Sequence, residues 1–132
     1  MRKFYGAGIR VRLVVFSTNH FQLILKVEGC PNTKMTNRQF VETLIRDVAS
    51  LSEMEILHGP VVVEGKEHNP GLTGFAIIDY SHIAVHTFPN AMELFLDLWS
   101  CKFFDVEKIE DYIQQSLNVD TAQIRSTRLN FD

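Results

Sequence analysis

The order of hydrophobic and polar residues along the chain predicts a sheet covered by helices. Residues 21–28, FQLILKVE, are rich in β-forming side chains and alternate roughly, which indicates a half-buried strand. The glycine and proline of GCPNTK end this strand. Apolar residues then recur at helical spacing over residues 37–51, and Thr36 stands three residues before Gln39, the spacing of a capping box. We therefore predict a strand over 21–28 followed by an amphipathic helix over 37–51.

The middle of the chain predicts several more strands. Residues 54–64, MEILHGPVVVE, favour a strand with an irregularity at Gly59 and Pro60. GKEHNPGLTG, residues 65–74, is typical of a loop because of its Gly, Pro and Asn content. Strand patterns return three times after this loop, at residues 75–79, 82–87 and 92–100.

The C-terminal part predicts a second helix and a last strand. Asp105 can cap a helix over residues 106–117, whose apolar residues share one face, and a strand follows over 122–129. An extra strand over 9–16 is also compatible with the pattern. The order β-α-β-β-β-α-β predicts an α+β two-layer sandwich, in which two helices cover one face of an antiparallel sheet.

Composition narrows the class of protein. The chain has 132 residues, 45 % of them hydrophobic and 22 % charged, as expected for one globular domain over 1–132. The net charge of −3, without a basic cluster, argues against nucleic acid as a partner. We expect no membrane span and no signal peptide, because the apolar runs are too short. Cys30 and Cys101 have no CxxC or Cys/His cluster around them, so we expect free thiols, no metal and a cytoplasmic location.

The segment DYSHIAVHTFPN, residues 79–90, holds the most reactive side chains. On a strand, His82 and His86 share a face but lie about 13 Å apart, at about 3.3 Å per residue, so they cannot bind one metal ion. Ser81, His86 and either Asp79 or Asp97 could form a hydrolase triad, but the G-x-S-x-G turn of such enzymes is missing. A turn serine beside structural histidines is the alternative that requires no chemistry.

This segment resembles a known self-processing region. YSHIAVHTFPN, preceded by GLTG and followed by LDLWSC, is similar to the corresponding stretch of the prokaryotic S-adenosylmethionine decarboxylase proenzymes. These are small pyruvoyl-dependent enzymes of polyamine synthesis. The resemblance includes the 20-residue step from Ser81 to Cys101 and extends from about residue 19 to the C-terminus. Residues 1–18 are an N-terminal extension to which it assigns no function.

The resemblance implies a role for five residues. The Ser81 hydroxyl would attack the carbonyl of Tyr80, the amide would rearrange to an ester, and elimination would cut the chain between 80 and 81. Ser81 would thereby become a covalent pyruvoyl cofactor, which forms a Schiff base with the substrate and withdraws electrons during decarboxylation. His86 would assist the elimination, and the Thr73 hydroxyl would help to stabilise the oxyoxazolidine intermediate that forms before the ester. Cys101 would return a proton to the substrate.

Several positions differ from the family pattern. Tyr80 stands where the family has glutamate, and HTFPN replaces HTWPE, which puts Phe88 and Asn90 at positions implied to bind substrate. Glu67 stands about where an adenine-stacking phenylalanine is expected.

The implied substrate is S-adenosylmethionine, which would supply the aminopropyl donor for spermidine. Two alternatives remain at this stage. One is a decarboxylase of arginine or ornithine, with Glu67 binding the cationic tail, and the other is a non-processing paralogue that binds a ligand. The resemblance also implies a homodimer.

Overall fold

A computed structural model describes residues 19–131, so the extra strand predicted over 9–16 lies outside the described residues. Six strands form one antiparallel sheet in the spatial order β2-β3-β4-β5-β1-β6. Their bounds are β1 His20–Glu28, β2 Ile56–Glu64, β3 Leu72–Ile78, β4 Ser81–Phe88, β5 Glu93–Ser100 and β6 Ile124–Phe131. The helices are α1 Asn32–Met35, α2 Arg38–Leu51 and α3 Val106–Leu117, with a short 3-10 turn at Thr121–Gln123.

The sheet buries one face and leaves the other open. Buried and exposed side chains alternate strictly along β3, as the two-residue period of a strand requires. The buried face packs against the apolar sides of α2 and α3, and together they form one core. This confirms the predicted α+β sandwich with two long helices on one side of an antiparallel sheet. The predicted order β-α-β-β-β-α-β is wrong in one respect, since four strands and not three lie between the two long helices. We call the opposite side of the sheet, which no described helix covers, the open face.

Gly74 allows α2 to pack closely against β3. A Cβ at this position would lie 2.7 Å from the side chains of both Val41 and Ile45, which is shorter than any normal contact between carbon atoms. The glycine therefore lets the helix rest directly on the strand backbone. Its place within GLTG makes this stretch look like a loop in the sequence, although β3 already begins at Leu72, three residues before the predicted start.

Two further local predictions are resolved by the structure. The prediction that Thr36 caps the helix over 37–51, which is α2 in the structure, is wrong. Asn37 caps α2 and accepts a hydrogen bond from the N–H of Phe40 at 3.1 Å. The Thr36 hydroxyl, just after α1, instead donates to the carbonyl of Asn32, the first residue of α1. The predicted irregularity in β2 is confirmed, since the pairing of β2 with β3 shifts register on both sides of His58.

Candidate functional site

The tight hairpin between β3 and β4 carries the candidate cleavage point. Ser81 is the first residue of β4, and Asp79 and Tyr80 form the turn before it. Asp79 fixes the turn to the start of β2, because its N–H donates to the Glu55 carbonyl at 2.9 Å and its carboxylate accepts from the Glu55 N–H at 3.0 Å. The carbonyl of Tyr80 accepts a hydrogen bond from the backbone N–H of Cys101 at 3.1 Å. The peptide bond between Tyr80 and Ser81, which would be cut, is thus held by the hydrogen bonds of Asp79 on one side and by the Cys101 N–H on the other.

Ser81 has an unusual backbone conformation. Its φ of 156° lies in a region that residues other than glycine adopt rarely. A residue forced into such a region stores about 1–3 kcal/mol of strain, which the surrounding structure must offset. Backbone strain at this peptide bond favours a reaction that rearranges it.

Lys102 holds the side chain of Tyr80. The Lys102 ammonium lies 5.4 Å from the centre of the Tyr80 ring and donates to the Glu53 carbonyl at 2.7 Å. The Lys102 backbone N–H donates to the buried Ser100 hydroxyl at 2.9 Å. These contacts tie the end of β5 to the hairpin, so that Cys101 stays opposite the Tyr80 carbonyl.

A second group of candidates lies at the other end of β4. Thr73 and His86 are directly paired across β3 and β4, and the Thr73 hydroxyl lies 3.1 Å from the His86 Nδ1 atom. Phe88 packs edge-on against Phe95 of β5, with the ring centres 5.6 Å apart. A groove of about 300 Å³ on the open face is lined by these two rings and by His86. This end of the sheet therefore combines a hydroxyl, an imidazole and an apolar surface.

The remaining candidates border the same end. Asn90 lies exposed in the four-residue turn between β4 and β5. Glu67 is exposed in the loop that joins β2 to β3, directly before the strand that carries Thr73. The three residues implied to bind substrate, Phe88, Asn90 and Glu67, therefore all lie at the end of the sheet that holds His86.

The structure does not bring Ser81 and His86 together within one chain. They stand five residues apart on the same strand, which corresponds to about 16 Å at the rise of a strand. Ser81 pairs with Ser100, next to Cys101, whereas His86 pairs with Phe95 near the opposite end of β5. The predicted site is thus divided into a Ser81–Cys101 pair and a Thr73–His86 pair.

His82 belongs to a separate network in the middle of the open face. Its ring stacks on Phe75 and lies near Trp99, with ring centres 5.5 and 5.7 Å apart. Its Nε2 atom lies 3.4 Å from Asp97, whose other carboxylate oxygen accepts from Gln22 at 2.9 Å. Asp97 is therefore engaged with His82 and not with His86, and the triad of a serine hydrolase is not assembled.

The two cysteines differ in environment. Cys30 is fully buried, and its thiol contacts the Val27 carbonyl at 3.5 Å. Burial raises the pKa of the Cys30 thiol to about 11, with the nearby Glu93 charge adding to the shift and the backbone hydrogen bond from Leu94 opposing it. Cys101 is only half-buried. Cys101 is therefore the more accessible of the two thiols.

Sequence reasoning missed three contributors to the site. The N–H of Cys101 is a backbone group and leaves no trace in the sequence. Asp79 contacts Glu55 and Lys102 contacts Glu53, and both partners are remote along the chain.

Within residues 19–131, no group of three or more His, Cys, Asp or Glu residues is arranged to hold a metal ion. In the same part of the chain, no helix has the length and apolar character needed to cross a membrane.

Comparisons with known proteins identify the family of this chain. A family model described as S-adenosylmethionine decarboxylase matches residues 21–128. A protein of Clostridium botulinum named S-adenosylmethionine decarboxylase proenzyme is 28 % identical over 108 residues, covering 80 % of this chain and 89 % of the relative. A Geobacillus protein of the same name is 31 % identical over 101 residues, covering 76 % of this chain and 79 % of the relative.

A solved structure has the same fold. The crystal structure of the adenosylmethionine decarboxylase from Aquifex aeolicus superposes with a TM-score of 0.66 and 18 % sequence identity. The match covers 88 % of this chain and 91 % of that one. The arrangement of strands and helices is therefore shared between the two proteins.

Proposed function

The chain belongs to the S-adenosylmethionine decarboxylase family, and we propose that it decarboxylates S-adenosylmethionine with a pyruvoyl group made from its own Ser81. The single observation that carries this proposal is the placement of the Tyr80 carbonyl between the Ser81 residue and the N–H of Cys101. In this arrangement, an inert peptide bond has both a nucleophile and a hydrogen-bond donor beside it.

Processing would begin at this carbonyl. The Ser81 hydroxyl attacks the Tyr80 carbonyl carbon, the peptide C–N bond breaks, and an ester with a free amine remains. The Cys101 N–H donates to the oxygen on which negative charge develops, as in an oxyanion hole. Elimination then removes the Ser81 Cα proton and expels the Tyr80 carboxylate, and water releases ammonia to leave the pyruvoyl group. Strain at the φ of Ser81 favours the first step, since the rearrangement frees this residue from its turn.

The surroundings of Ser81 fit such a group. The residue begins a strand, so the new terminus stays attached to the sheet through β4, while the strain at its backbone is lost with the cut. When present, a pyruvoyl group acts as the electron sink for decarboxylation. The half-buried thiol of Cys101, next to the paired Ser100, is suited to return a proton to the substrate α-carbon.

We further propose that the complete site forms between two copies of this chain. His86 must contact the proton that it moves, within about 3 Å, but lies about 16 Å along the strand from Ser81 of its own chain. In such a dimer, the open faces of two protomers would pack against each other, related by a two-fold axis that lies between the faces and perpendicular to the strands. The Ser81 end of one protomer would then lie over the His86 end of the other. Both composite sites of the dimer would then be equivalent.

The open face has the character of such an interface. Large apolar side chains on it are 37–59 % exposed, namely Val61, Val63, Phe75, Ile77, Trp99, Leu129 and Phe131. A contiguous apolar surface of this kind is rarely left in water by a soluble monomer. A second copy of the chain is the partner whose binding would also complete the divided site.

The residues around the groove would bind the substrate. Phe88 offers an aromatic surface for the adenine ring, and the Asn90 amide can hydrogen-bond the ribose hydroxyls. Glu67 would lie at the border of the same pocket. The names of the relatives support S-adenosylmethionine over a basic amino acid as substrate. A cytoplasmic location is part of this proposal and is supported by the free thiols.

Denaturing mass spectrometry of the purified full chain tests the proposal. We expect two fragments that meet between Tyr80 and Ser81, with the second fragment reactive toward borohydride at its terminus. This material should release carbon dioxide from S-adenosylmethionine and not from arginine or ornithine. A single intact species of 15.2 kDa that nevertheless shows activity would refute the mechanism.

Three variants separate the roles, and the two cysteine variants among them form a matched pair. Ser81→Ala should remain folded and uncut. Cys101→Ala should be cut but turn over slowly, whereas Cys30→Ala, which removes the other thiol, should be cut and keep normal turnover. Equal turnover in both cysteine variants would contradict the role of Cys101.

A further inference from the structure

Lys102 carries a positive charge at the candidate cleavage point without an anionic partner. Its side chain is half-buried, and its ammonium lies 5.4 Å from the centre of the Tyr80 ring and donates to the Glu53 carbonyl at 2.7 Å. Lys102 forms no ion pair with any residue in 19–131. A lysine ammonium is strongly hydrated, and packing against a ring and a carbonyl removes part of this hydration. These contacts leave the charge of Lys102 uncompensated beside Tyr80.

The other charged groups around the hairpin are acidic. Asp79 directly precedes Tyr80, and Glu53 and Glu55 belong to the connection from α2 to β2, which is hydrogen-bonded to the hairpin. All three acidic side chains are exposed, and the Asp79 carboxylate is engaged with the Glu55 N–H at 3.0 Å. A further negative charge at Tyr80 would be repelled by these carboxylates, so it would require a cation beside it.

The proposed processing reaction creates such a negative charge. In the ester, the Ser81 Oγ atom is bonded to the carbonyl carbon of Tyr80. Elimination removes the Cα proton of Ser81, a double bond forms between Cα and Cβ, and the Cβ–O bond breaks with its electron pair left on the oxygen. Residue 80 thereby changes from a neutral acyl group into a carboxylate, next to the ammonium of Lys102.

We propose, on the basis of this processing reaction, that Lys102 stabilises the carboxylate that leaves from Tyr80 and thereby accelerates the elimination. The ammonium stands at the end of a flexible four-carbon stem, so it can move from the Tyr80 ring and the Glu53 carbonyl onto the new carboxylate. Lys102 keeps its proton throughout. In the preceding ester formation, negative charge develops on the oxygen that already accepts from the Cys101 N–H, so the Lys102 charge matters most in the second step.

The fold anchors the backbone of Lys102 close to the leaving group. The N–H of Cys101 donates to the Tyr80 carbonyl oxygen at 3.1 Å, and Lys102 is the next residue along the chain. The backbone N–H of Lys102 is itself fixed by the buried Ser100 hydroxyl at 2.9 Å. The oxygen held by Cys101 remains bonded to the same carbon during elimination and becomes one of the two carboxylate oxygens. The residue that supplies the cation is therefore tied to an atom of the group that leaves.

The expected size of the effect follows from comparable charge stabilisation. One fixed donor at a developing oxyanion contributes about 10²- to 10³-fold to a rate. Lys102 should contribute less, because its side chain is flexible and only half-buried, so water screens its charge. We therefore expect Lys102→Met to slow the elimination by about 10- to 100-fold. Ester formation should be almost unaffected.

Hydroxylamine added to the newly synthesised, folded full chain separates the two steps. It cleaves an ester but not an amide, so it captures the ester as a fragment that ends in a Tyr80 hydroxamate. The ester that escapes capture proceeds to a fragment that begins with the pyruvoyl group or its oxime. Mass spectrometry gives the ratio of captured to eliminated product, which rises as elimination slows, and the summed rate of both products, which reports ester formation.

Lys102→Met should raise this ratio by about 10- to 100-fold at a nearly unchanged summed rate. Lys102→Arg, which keeps the positive charge, should restore a ratio close to that of the wild type. Lys108→Met, the same exchange at an exposed lysine of α3, is the matched control and should leave both quantities unchanged.

Three results would speak against the proposal. A lower summed rate at an unchanged ratio in Lys102→Met would overturn it, because Lys102 would then only hold the hairpin in place. Wild-type values of both quantities in Lys102→Met would also overturn it, while cleavage at Ser81 and the proposed function would stand. Absence of both products from the wild-type chain would refute the proposed processing itself, and the role of Lys102 with it.

Discussion

The proposed division of the site between two chains leads to a complementation experiment. A His86→Ala chain keeps its own Ser81 but cannot supply the imidazole, and a Ser81→Ala chain supplies the imidazole but cannot be cut. Each variant should be inactive in processing alone. In a mixed dimer, the Ser81 of the His86→Ala chain faces the intact His86 of its partner, so we expect this chain to be cut.

The size of the effect follows from the geometry. Loss of a general acid or base slows a reaction by about 10²- to 10⁴-fold, and the separation of about 16 Å prevents a histidine of the same chain from acting directly. Random pairing of two equally expressed variants places about half of the His86→Ala chains in mixed dimers. About half of the His86→Ala chains, and none of the Ser81→Ala chains, should therefore be cut.

Two different affinity tags and mass spectrometry provide the assay. Mixed dimers are isolated through both tags, and each chain is identified by its mass. If the His86→Ala chain stays intact in purified mixed dimers while the wild-type chain is cut, the composite site is wrong. Cleavage of His86→Ala on its own at the wild-type rate would instead show that His86 has no part in processing.

The same logic sorts the other residues into two groups. Thr73 lies beside His86, and thus Thr73→Val should also be rescued by a Ser81→Ala partner. Cys101 belongs to the Ser81 end, so a Cys101→Ala chain should not restore turnover to a Ser81→Ala partner. If a Thr73→Val chain were cut only in mixed dimers whose partner lacks His86, this grouping would be contradicted.

Three further predictions concern stability. Ser81→Gly should unfold with a free energy about 1 kcal/mol higher than Ser81→Ala, because glycine adopts a φ of 156° without strain, and equal urea midpoints would contradict this. The free energy of unfolding should fall by about 2 kcal/mol between pH 9 and 11, because the Cys30 thiol ionises from its ordinary value of 9.0 when unfolded and from about 11 when folded. Cys30→Ala should flatten this part of the pH profile, and an unchanged slope would show that another group is responsible. Thr87→Val should cost about 1–3 kcal/mol in thermal or urea unfolding, because its buried hydroxyl accepts from the Leu72 N–H at 2.8 Å and donates to the Met35 carbonyl at 2.7 Å. Wild-type stability of this variant would mean that the buried backbone groups find other partners.

Periodicity made most of the fold predictable. The strands and both long helices show the two-residue and helical repeats in their apolar residues. The predicted order β-α-β-β-β-α-β lacks the short α1 and one of the four strands between the long helices, although the predicted ranges 54–64, 75–79, 82–87 and 92–100 include all four. The failures were local. Thr36 and Asn37 are both good capping residues, and only the path of the chain out of α1 decides that Asn37 caps α2. Gly74 marked a loop in the sequence because its packing role depends on a helix more than twenty residues away.

The residues of the candidate site have a signal in the sequence, but most of their contacts do not. The motif around Ser81 indicated the candidate side chains, and its resemblance to one family implied their chemistry. The rise of a strand, which separates His82 from His86, also separates Ser81 from His86, so the division of the site had a signal in the sequence. The contacts of Asp79 and the Cys101 N–H had none, because they depend on strand register.

The tyrosine before Ser81 is compatible with processing for a physical reason. The proposed reaction uses only the carbonyl of residue 80, and this carbonyl is held by the Cys101 N–H, a contact that does not depend on the Tyr80 side chain. The Tyr80 ring, 40 % exposed, points to a separate partner, the Lys102 ammonium. With glutamate at position 80 of this chain, the Lys102 ammonium would meet a carboxylate instead of a ring. Both side chains can attract a cation, so Lys102 can fix the hairpin in either case, and the exchange of residue 80 changes the means of attachment without moving the bond that we propose is cut.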